Sequence, residues 1–116
     1  MKSVEELEVF KLAHKLVLEV YEQTRGFPDE ERFGLVPQMR RAAFSIPMNL
    51  AEGAGRLGRK EYCHFVGIAR GSVGEIRYQL MLAKDLGYIR EDIYERLRSQ
   101  FDSVARMLMG LAKSLM

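Results

Sequence analysis

The amino-acid sequence predicts an all-α protein, an up-down-up-down antiparallel four-helix bundle that forms a single domain over residues 1–116. Two observations lead to this fold class. Four long segments place apolar side chains at intervals of three and four residues, which is the spacing of one face of an α-helix. The connections between these segments are short, so consecutive helices should lie side by side and run antiparallel.

The first helix is predicted over residues 4–24. Ser3 and Glu6 have the spacing of a capping box, in which each side chain bonds to the backbone amide of the other residue. Gly26 follows the last apolar residues of the pattern, and Pro28 comes shortly after it. Both residue types are common just beyond the end of a helix, so we expect this helix to end before Gly26.

The second helix is predicted over residues 35–55, after a short charged stretch in which Pro28 can start a single helical turn. Pro47 lies inside the predicted helix and has no backbone N–H to donate. We therefore predict a kink in the second helix near Pro47. Residues 54–58 contain two glycines and are expected to form a flexible connector to the third helix.

The third helix is predicted over residues 59–86, and Gly87 should end it because glycine readily adopts the left-handed conformation that closes many helices. Three glycines also fall on one line along this helix. Bare backbone at this spacing would let another helix approach closely. The residues predicted to provide close helix packing are Gly67, Gly71 and Gly74.

The fourth helix is predicted over residues 91–115, with a seam of apolar side chains at coiled-coil-like spacing. Its last third carries further apolar residues outside that seam, namely Met107, Met109 and Met116. Monomeric proteins seldom expose large continuous apolar patches. We therefore predict that a second copy of the chain covers this surface and that the protein is a homo-oligomer.

Polar residues take inward-looking positions on the second and third helices. If these helices form a hairpin, Arg41 lies roughly level with Glu75, and we predict an ion pair between them. Asn49 and Glu52 are likewise predicted to cluster near Arg70. Such bonds would either fix the register of the helices at some cost in stability, or line a surface for a polyanion. The predicted polar network comprises Arg41, Asn49, Glu52, Ser72, Glu75 and Gln79.

The sequence contains no convincing catalytic or metal site, and we expect a protein without enzyme activity or cofactor. Glu61 and His64 match half of a di-iron motif, but His14, the only other histidine, has Lys11 at the position that would need a glutamate. Cys63 is the single cysteine, which excludes an internal disulfide and a multi-cysteine zinc site. Cys63 has no obvious base beside it in the sequence, so a packed thiol is the simpler interpretation.

The charges indicate a soluble protein with a basic central region. Residues 38–90 carry nine basic and four acidic side chains, whereas residues 1–37 carry five basic and eight acidic ones. A basic region suits an anionic partner, although a solvated helix face would explain it equally well. The sequence has no secretory signal and no stretch near the ~20 apolar residues of a membrane span. A cytoplasmic location is the expectation.

One long, spaced motif resembles a known family. It begins at residues 38–53 with Gln-Met-Arg-Arg-Ala-Ala-Phe-Ser-Ile-Pro-Met-Asn-Leu-Ala-Glu-Gly and continues with Ile-Ala-Arg-Gly-Ser at residues 68–72. The motif resembles a bacterial four-helix-bundle family encoded in intervening sequences within 23S ribosomal RNA genes. The resemblance covers roughly residues 5–90. It implies a five-fold ring of bundles, a basic surface, nucleic-acid binding, and kinship with the accessory protein of diversity-generating retroelements.

Two hypotheses for the function follow. The first is a non-catalytic, oligomeric protein that binds structured RNA, with basic side chains on the phosphates and little dependence on base sequence. The second is a protein-interaction scaffold whose ring organises a polymerase-type partner such as a reverse transcriptase. For the first hypothesis, the predicted nucleic-acid-binding residues are Arg56, Arg59, Lys60, Arg70 and Arg77.

Overall fold

The computed structural model of the protein describes residues 3–116. Within that range all regular secondary structure is helical, with single turns of 3-10 helix at Val4–Glu6 and Asp29–Glu31 and no strand. The prediction of an all-α, four-helix protein is confirmed. The four α-helices are α1 (Glu8–Thr24), α2 (Leu35–Ala54), α3 (Arg59–Asp85) and α4 (Glu91–Leu115).

The start of α1 differs from the prediction. The Glu6 N–H donates to the Ser3 carbonyl at 3.0 Å, and the Leu7 N–H donates to the Val4 carbonyl at 3.1 Å. These bonds form a separate 3-10 turn, and the extended backbone of Leu7 separates it from α1. The Ser3 side chain makes no capping bond, so the predicted capping box is wrong. Leu7 packs partly buried against the core, which favours this break in the helix.

Two loops meet at the end of the bundle where α2 begins. Glu31 connects them, because its Oε1 accepts the Leu35 N–H at 3.1 Å and its Oε2 accepts the Tyr88 hydroxyl at 2.9 Å. The Tyr88 ring also lies 5.1 Å from the Phe27 ring, centroid to centroid. The α1–α2 loop therefore caps α2 and holds the α3–α4 loop against it.

Gly87 ends α3 as predicted. Its φ of 81° is in the left-handed region, which a residue with a side chain rarely adopts. The Gly87 N–H donates to the Lys84 carbonyl at 2.9 Å, and the Tyr88 N–H donates to the Ala83 carbonyl at 2.8 Å. This pair of bonds is the Schellman motif, which satisfies carbonyl groups that the end of a helix leaves without partners.

The core lies where all four helices meet. Within residues 3–116, the buried apolar side chains form one continuous cluster there. Helix α3 packs most extensively against α2 and next against α4, and α1 packs against both α2 and α4. Ser45 contacts Ser72, and Gly53 lies against Phe65, so residue number falls along α3 as it rises along α2. Large side chains that are fully buried include Leu16, Met39, Ile46, Leu50, Ile76, Leu80, Leu97 and Phe101.

The close helix packing predicted for Gly67, Gly71 and Gly74 does not occur within the chain. All three glycines are exposed on α3, and a Cβ added at any of them would have no atom within 4 Å. Their line lies on the side of α3 that faces away from α2 and from the core. The close approach is instead at Gly53, where a Cβ would lie only 2.8 Å from the Phe65 Cβ.

The apolar excess predicted for α4 is mostly covered by the chain itself. Met107 packs against the core and Met109 is half-buried, which leaves Met116, with 83% of its surface exposed, as the uncovered member of the three. The premise of an apolar α4 surface awaiting a partner is therefore wrong for Met107. Helix α2 continues through Pro47, which is buried, and the kink predicted there stays a prediction.

Candidate nucleic-acid interface

Arg56 lies between α2 and α3, and its charge is offset by two carboxylates. Its guanidinium nitrogens lie 3.7 Å from Glu52 Oε2 and 3.6 Å from Glu61 Oε2. The guanidinium also lies 4.8 Å from the centroid of the Phe65 ring. The Arg56 guanidinium is therefore engaged by carboxylates and a ring of its own chain, which makes it a weaker candidate for a phosphate contact than the sequence predicts.

Arg59 and Lys60 occupy the first turn of α3 and are exposed. Within residues 3–116 neither has a carboxylate within 4.0 Å, in contrast to Arg56. Both line a cavity of about 510 Å³ whose other walls are Cys63, His64 and the last residues of α4. This end of the bundle therefore presents two uncompensated positive charges beside a shallow, mainly apolar depression.

Arg70 and Arg77 continue the basic surface along α3. Arg59, Arg70 and Arg77 are 11 and 7 residues apart, so at 3.6 residues per turn they lie within about 20° of one another around the helix. Arg77 Nε lies 3.0 Å from Asp102 Oδ1 on α4, which places this edge of α3 beside α4. Arg70 is exposed and has no carboxylate within 4.0 Å in the described chain.

The predicted nucleic-acid-binding residues therefore divide into two groups. Arg56 and Arg77 are ion-paired, whereas the other three present their charge to solvent. Close by, burial raises the pKa of the Tyr62 hydroxyl above its ordinary value. Tyr62 accordingly stays neutral at physiological pH and adds no negative charge beside Arg59. The residues that keep a phosphate-binding charge are Arg59, Lys60 and Arg70.

The predicted polar network is brought together only in part. Arg41, Asn49, Ser72 and Glu75 all line one groove of about 410 Å³ between α2 and α3. The hydroxyl of Ser72, which is buried, forms a hydrogen bond with the hydroxyl of Ser45 across the two helices. This bond was not among the predicted pairs, and it is the direct side-chain link between α2 and α3 that the described residues provide.

The individual pairs predicted for the network are wrong. Arg41 and Glu75 share the groove but are more than 4.0 Å apart, and the Arg41 guanidinium lies 6.0 Å from the centroid of the Phe44 ring instead. Asn49 Nδ2 donates to the Ser45 carbonyl of its own helix at 2.7 Å. Arg70 cannot join a cluster on α2, because it lies about 160° around α3 from Ser72, which faces α2.

Two members of the predicted network have other environments. Glu52 pairs with Arg56, as described above. Gln79 is buried on α3, and its Oε1 has no hydrogen-bond partner among the described residues. An unpartnered buried carbonyl costs stability, so Gln79 does not strengthen the bundle in the way a completed network would.

Arg40 is tied to the bundle. Its Nε donates to Thr24 Oγ1 at 2.9 Å, and its guanidinium stacks 4.5 Å from the centroid of the Tyr21 ring. Nothing in the sequence analysis connects Arg40 or Arg41 with Arg32, although all three line one cavity. No sequence signal joins Tyr21, Arg32 and Arg40, because they lie on α1, in the α1–α2 loop and on α2.

No group of three or more His, Cys, Asp or Glu side chains within residues 3–116 is arranged to hold a metal ion. Cys63 is half-buried, and its thiol lies 3.8 Å from the Ala112 carbonyl on α4. Over the same residues, no helix combines the length and the apolar character needed to cross a membrane.

Comparison with known proteins identifies the family. No curated protein matches the chain. A solved structure with 20% sequence identity superposes with a TM-score of 0.81 over 90% of this chain and 98% of its own. It is described as a protein with unknown function from the S23 ribosomal protein family of Bacteroides thetaiotaomicron, and it shows the same fold. The profile of the 23S rRNA-intervening sequence proteins matches residues 5–110, and the chain belongs to that family.

Proposed function

We propose that the protein is a non-catalytic, cytoplasmic homo-oligomer that binds structured RNA through Arg59, Lys60 and Arg70. The observation that carries the proposal is that these three exposed side chains have no carboxylate within 4.0 Å, whereas Arg56 and Arg77 are ion-paired within the chain. Guanidinium and ammonium groups that keep their charge exposed bind phosphates mainly by electrostatic attraction.

The geometry of α3 supports an extended contact. Arg59 and Arg70 lie on the same edge of the helix, and a rise of 1.5 Å per residue separates them by about 16 Å. This spacing suits a strand of phosphates that runs along the bundle rather than a single anion. The names of the family and of the structural relative refer to 23S rRNA and to a ribosomal protein, which agrees with an RNA partner.

An electrophoretic mobility shift with a structured RNA, repeated over a salt series, tests the proposal. We expect binding at about 50 mM salt that weakens steadily as salt rises. The triple variant R59Q/K60Q/R70Q should lower the slope of log K against log salt by about 0.7–0.9 for each phosphate contact removed. No binding by the parent at low salt, or binding that ignores salt, would overturn the proposal.

The matched control is R25Q/R90Q. Both arginines are exposed and ion-paired, to Glu22 and Asp92, and they lie in or beside the loops at the other end of the bundle. Their removal changes the net charge without touching the α3 edge. An equal loss of RNA affinity per charge in control and test variants would assign the binding to net charge alone and would contradict the proposed site.

Oligomerisation is the second part of the proposal. Exposed apolar side chains on α2 and α3 flank the exposed glycines, among them Met48 at 49%, Tyr78 at 58% and Ile68 and Met81 at 40% exposure. We place the contact between copies on this face of α3 rather than on α4. Five copies in a ring follow from the family resemblance and not from the physics of this surface.

The alternative function is a scaffold that organises a polymerase-type protein, such as a reverse transcriptase. The same exposed apolar side chains favour it, because Tyr and Met are enriched where proteins meet. This alternative predicts little RNA affinity for the protein alone and a co-purifying protein partner. The RNA titration above therefore separates the two functions.

A further inference from the structure

A second basic site lies along the first half of α2, away from the α3 edge. Arg32, Arg40 and Arg41 line one cavity of about 370 Å³, together with the rings of Tyr21 and Phe44. Val36 and Pro37 complete its apolar wall, and no lining residue is acidic. We call this cavity the arginine pocket. Arg59 and Lys60 begin α3, after the end of α2 at Ala54, so they are separated from Arg40 by about 20 Å of helix for the 14 residues from Arg40 to Ala54.

Arg40 is fixed in the arginine pocket by neutral partners. Its Nε donates to Thr24 Oγ1 at 2.9 Å, and its Nη2 donates to the Tyr21 carbonyl at 3.4 Å. Thr24 is buried and is itself held, because its hydroxyl donates to the Val20 carbonyl at 2.8 Å. These contacts orient the guanidinium without cancelling its charge, and they leave Nη1 for a ligand. An arginine held in place before binding loses little side-chain entropy when the ligand arrives.

Arg41 and Arg32 add two further charges at the rim. Both are exposed, and neither has a carboxylate within 4.0 Å in the part of the chain that the structure describes. The Arg41 guanidinium lies 6.0 Å from the Phe44 ring centroid, as the Arg40 guanidinium lies 4.5 Å from that of Tyr21. Two arginine–aromatic pairs therefore frame the cavity. Like charges around one small cavity repel each other, and an anion between them removes that cost.

We propose that the arginine pocket binds a nucleoside phosphate. The guanidinium groups of Arg40 and Arg41 would take the phosphate, since the planar fork of arginine matches phosphate oxygens in pairs. The ring of Phe44, which lines the same cavity, would take the base, because unpaired bases stack on aromatic rings. A cavity that held only an inorganic anion would need no aromatic wall. The cavity volume lies within the range of small-molecule sites.

The ligand can come from two sources, a free mononucleotide or one unstacked nucleotide of a single-stranded RNA, and the chemistry at the pocket is the same. The proposal does not depend on the RNA-binding function, because its residues are separate from the α3 edge. A phosphorylated peptide could also pair with the arginines, but it has no base to stack on the Phe44 ring.

Calorimetric titration of the full chain with AMP, adenosine and inorganic phosphate tests the proposal. We expect AMP to bind at least about tenfold more tightly than either adenosine or phosphate alone, since only AMP uses both the ring and the charges. The variant R32Q/R41Q changes exposed side chains and should fold. It should lower the AMP affinity by about tenfold or more through the loss of charge-assisted contacts. The matched control R106Q/K113Q removes the same charge from exposed positions on α4 and should leave AMP binding unchanged.

A ten-nucleotide adenosine RNA separates the two sources. The competition uses the variant R59Q/K60Q, which lacks two basic residues of the α3 edge. If the RNA displaces AMP from this variant, the pocket accepts a nucleotide within RNA, and if AMP stays bound, the pocket accepts the free nucleotide. Both results support the nucleoside-phosphate site, and neither depends on whether the α3 edge binds RNA. No binding of AMP at about 1 mM, equal affinities for AMP and phosphate, or equal losses in the test and control variants would overturn it. Tighter binding of a phosphotyrosine peptide than of AMP would overturn it as well.

Discussion

Helix α3 has two sides that look alike in sequence and differ completely in environment. One side meets α2, where Gly53 lies against Phe65 and the hydroxyls of Ser45 and Ser72 are bonded. The other side carries three exposed glycines with open space above each of them. Both sides combine small and polar residues at helical spacing. The comparison shows that a small residue permits close packing, whereas the packing itself requires another helix to lie opposite that residue.

Phe65, Ser72 and Gln79 mark the packed side, since they are seven residues apart and fall on one line around α3. Ser72 and Gln79 are buried there with 8% of their surface exposed. The glycine line lies on the opposite half of the helix. Changes on the packed side should therefore alter the folding stability of the single chain, and changes on the glycine side should alter what the chain binds.

The largest effect is expected for Gly53→Ala. The new Cβ would lie 2.8 Å from the Phe65 Cβ and 3.0 Å from the Tyr62 Cδ1, so α2 and α3 must move apart. We expect a loss of about 1–3 kcal/mol in the free energy of unfolding, as for other overpacked cores. This loss outweighs the gain of up to about 1 kcal/mol that alanine brings as a better helix former. Urea denaturation followed by circular dichroism measures the difference.

The matched control for Gly53→Ala is Gly110→Ala on α4. Gly110 is also inside a helix, but a Cβ there would meet nothing within 4 Å. Only the helix propensity then changes, so we expect this variant to gain up to about 1 kcal/mol. A gain in stability for Gly53→Ala as large as that of the control would contradict the close approach of α2 and α3 at Gly53.

The sequence predicts the fold well because the signals for a helix are local. Helices α2, α3 and α4 begin at the predicted residues, and their ends lie within one residue of the prediction. Gly87 and the apolar spacing suffice for this, since both act within a few residues of the chain. The start of α1 was missed because Leu7 is drawn into the core by contacts that lie far away in sequence.

The candidate site was predicted less well because its chemistry depends on which helices become neighbours. Arg70 and Arg77 are both arginines seven residues apart on α3, yet Asp102, 25 residues after Arg77, forms an ion pair with Arg77. The predicted Asn49 cluster is wrong for the same reason, because Arg70 is exposed on an edge of α3 that points away from α2. The arginine pocket joins Tyr21 on α1 to Arg40 and Phe44, which are four residues apart on α2, and no local pattern connects the two helices.

An effect of intermediate size is expected on the packed side for Gln79→Met. The Gln79 Oε1 atom is buried without a hydrogen-bond partner, and methionine keeps the volume while removing the polar atom. We expect a gain of about 1–2 kcal/mol in the free energy of unfolding, because an unsatisfied buried carbonyl costs about that much. The control is Gln38→Met at an exposed position, where the change should stay within about 0.5 kcal/mol. A loss of stability in Gln79→Met would mean that the carbonyl has a partner in solution, such as ordered water.

The smallest effect on the stability of the single chain, and the sharpest test of the glycine side, is expected for Gly71→Leu. The chain has room for the leucine, and its helix propensity should raise the free energy of unfolding by up to about 1 kcal/mol. If copies of the protein pack on this face, the same side chain must weaken the assembly, because it fills the space of the neighbouring copy. Light scattering at micromolar concentration should therefore give a lower mass for Gly71→Leu than for the parent. Gly110→Leu, which adds the same side chain to an exposed position on α4, should keep the parent's mass. A parent that already scatters as a single 13.4 kDa species would contradict the proposed oligomer, and an unchanged mass in Gly71→Leu would move the contact away from the glycines.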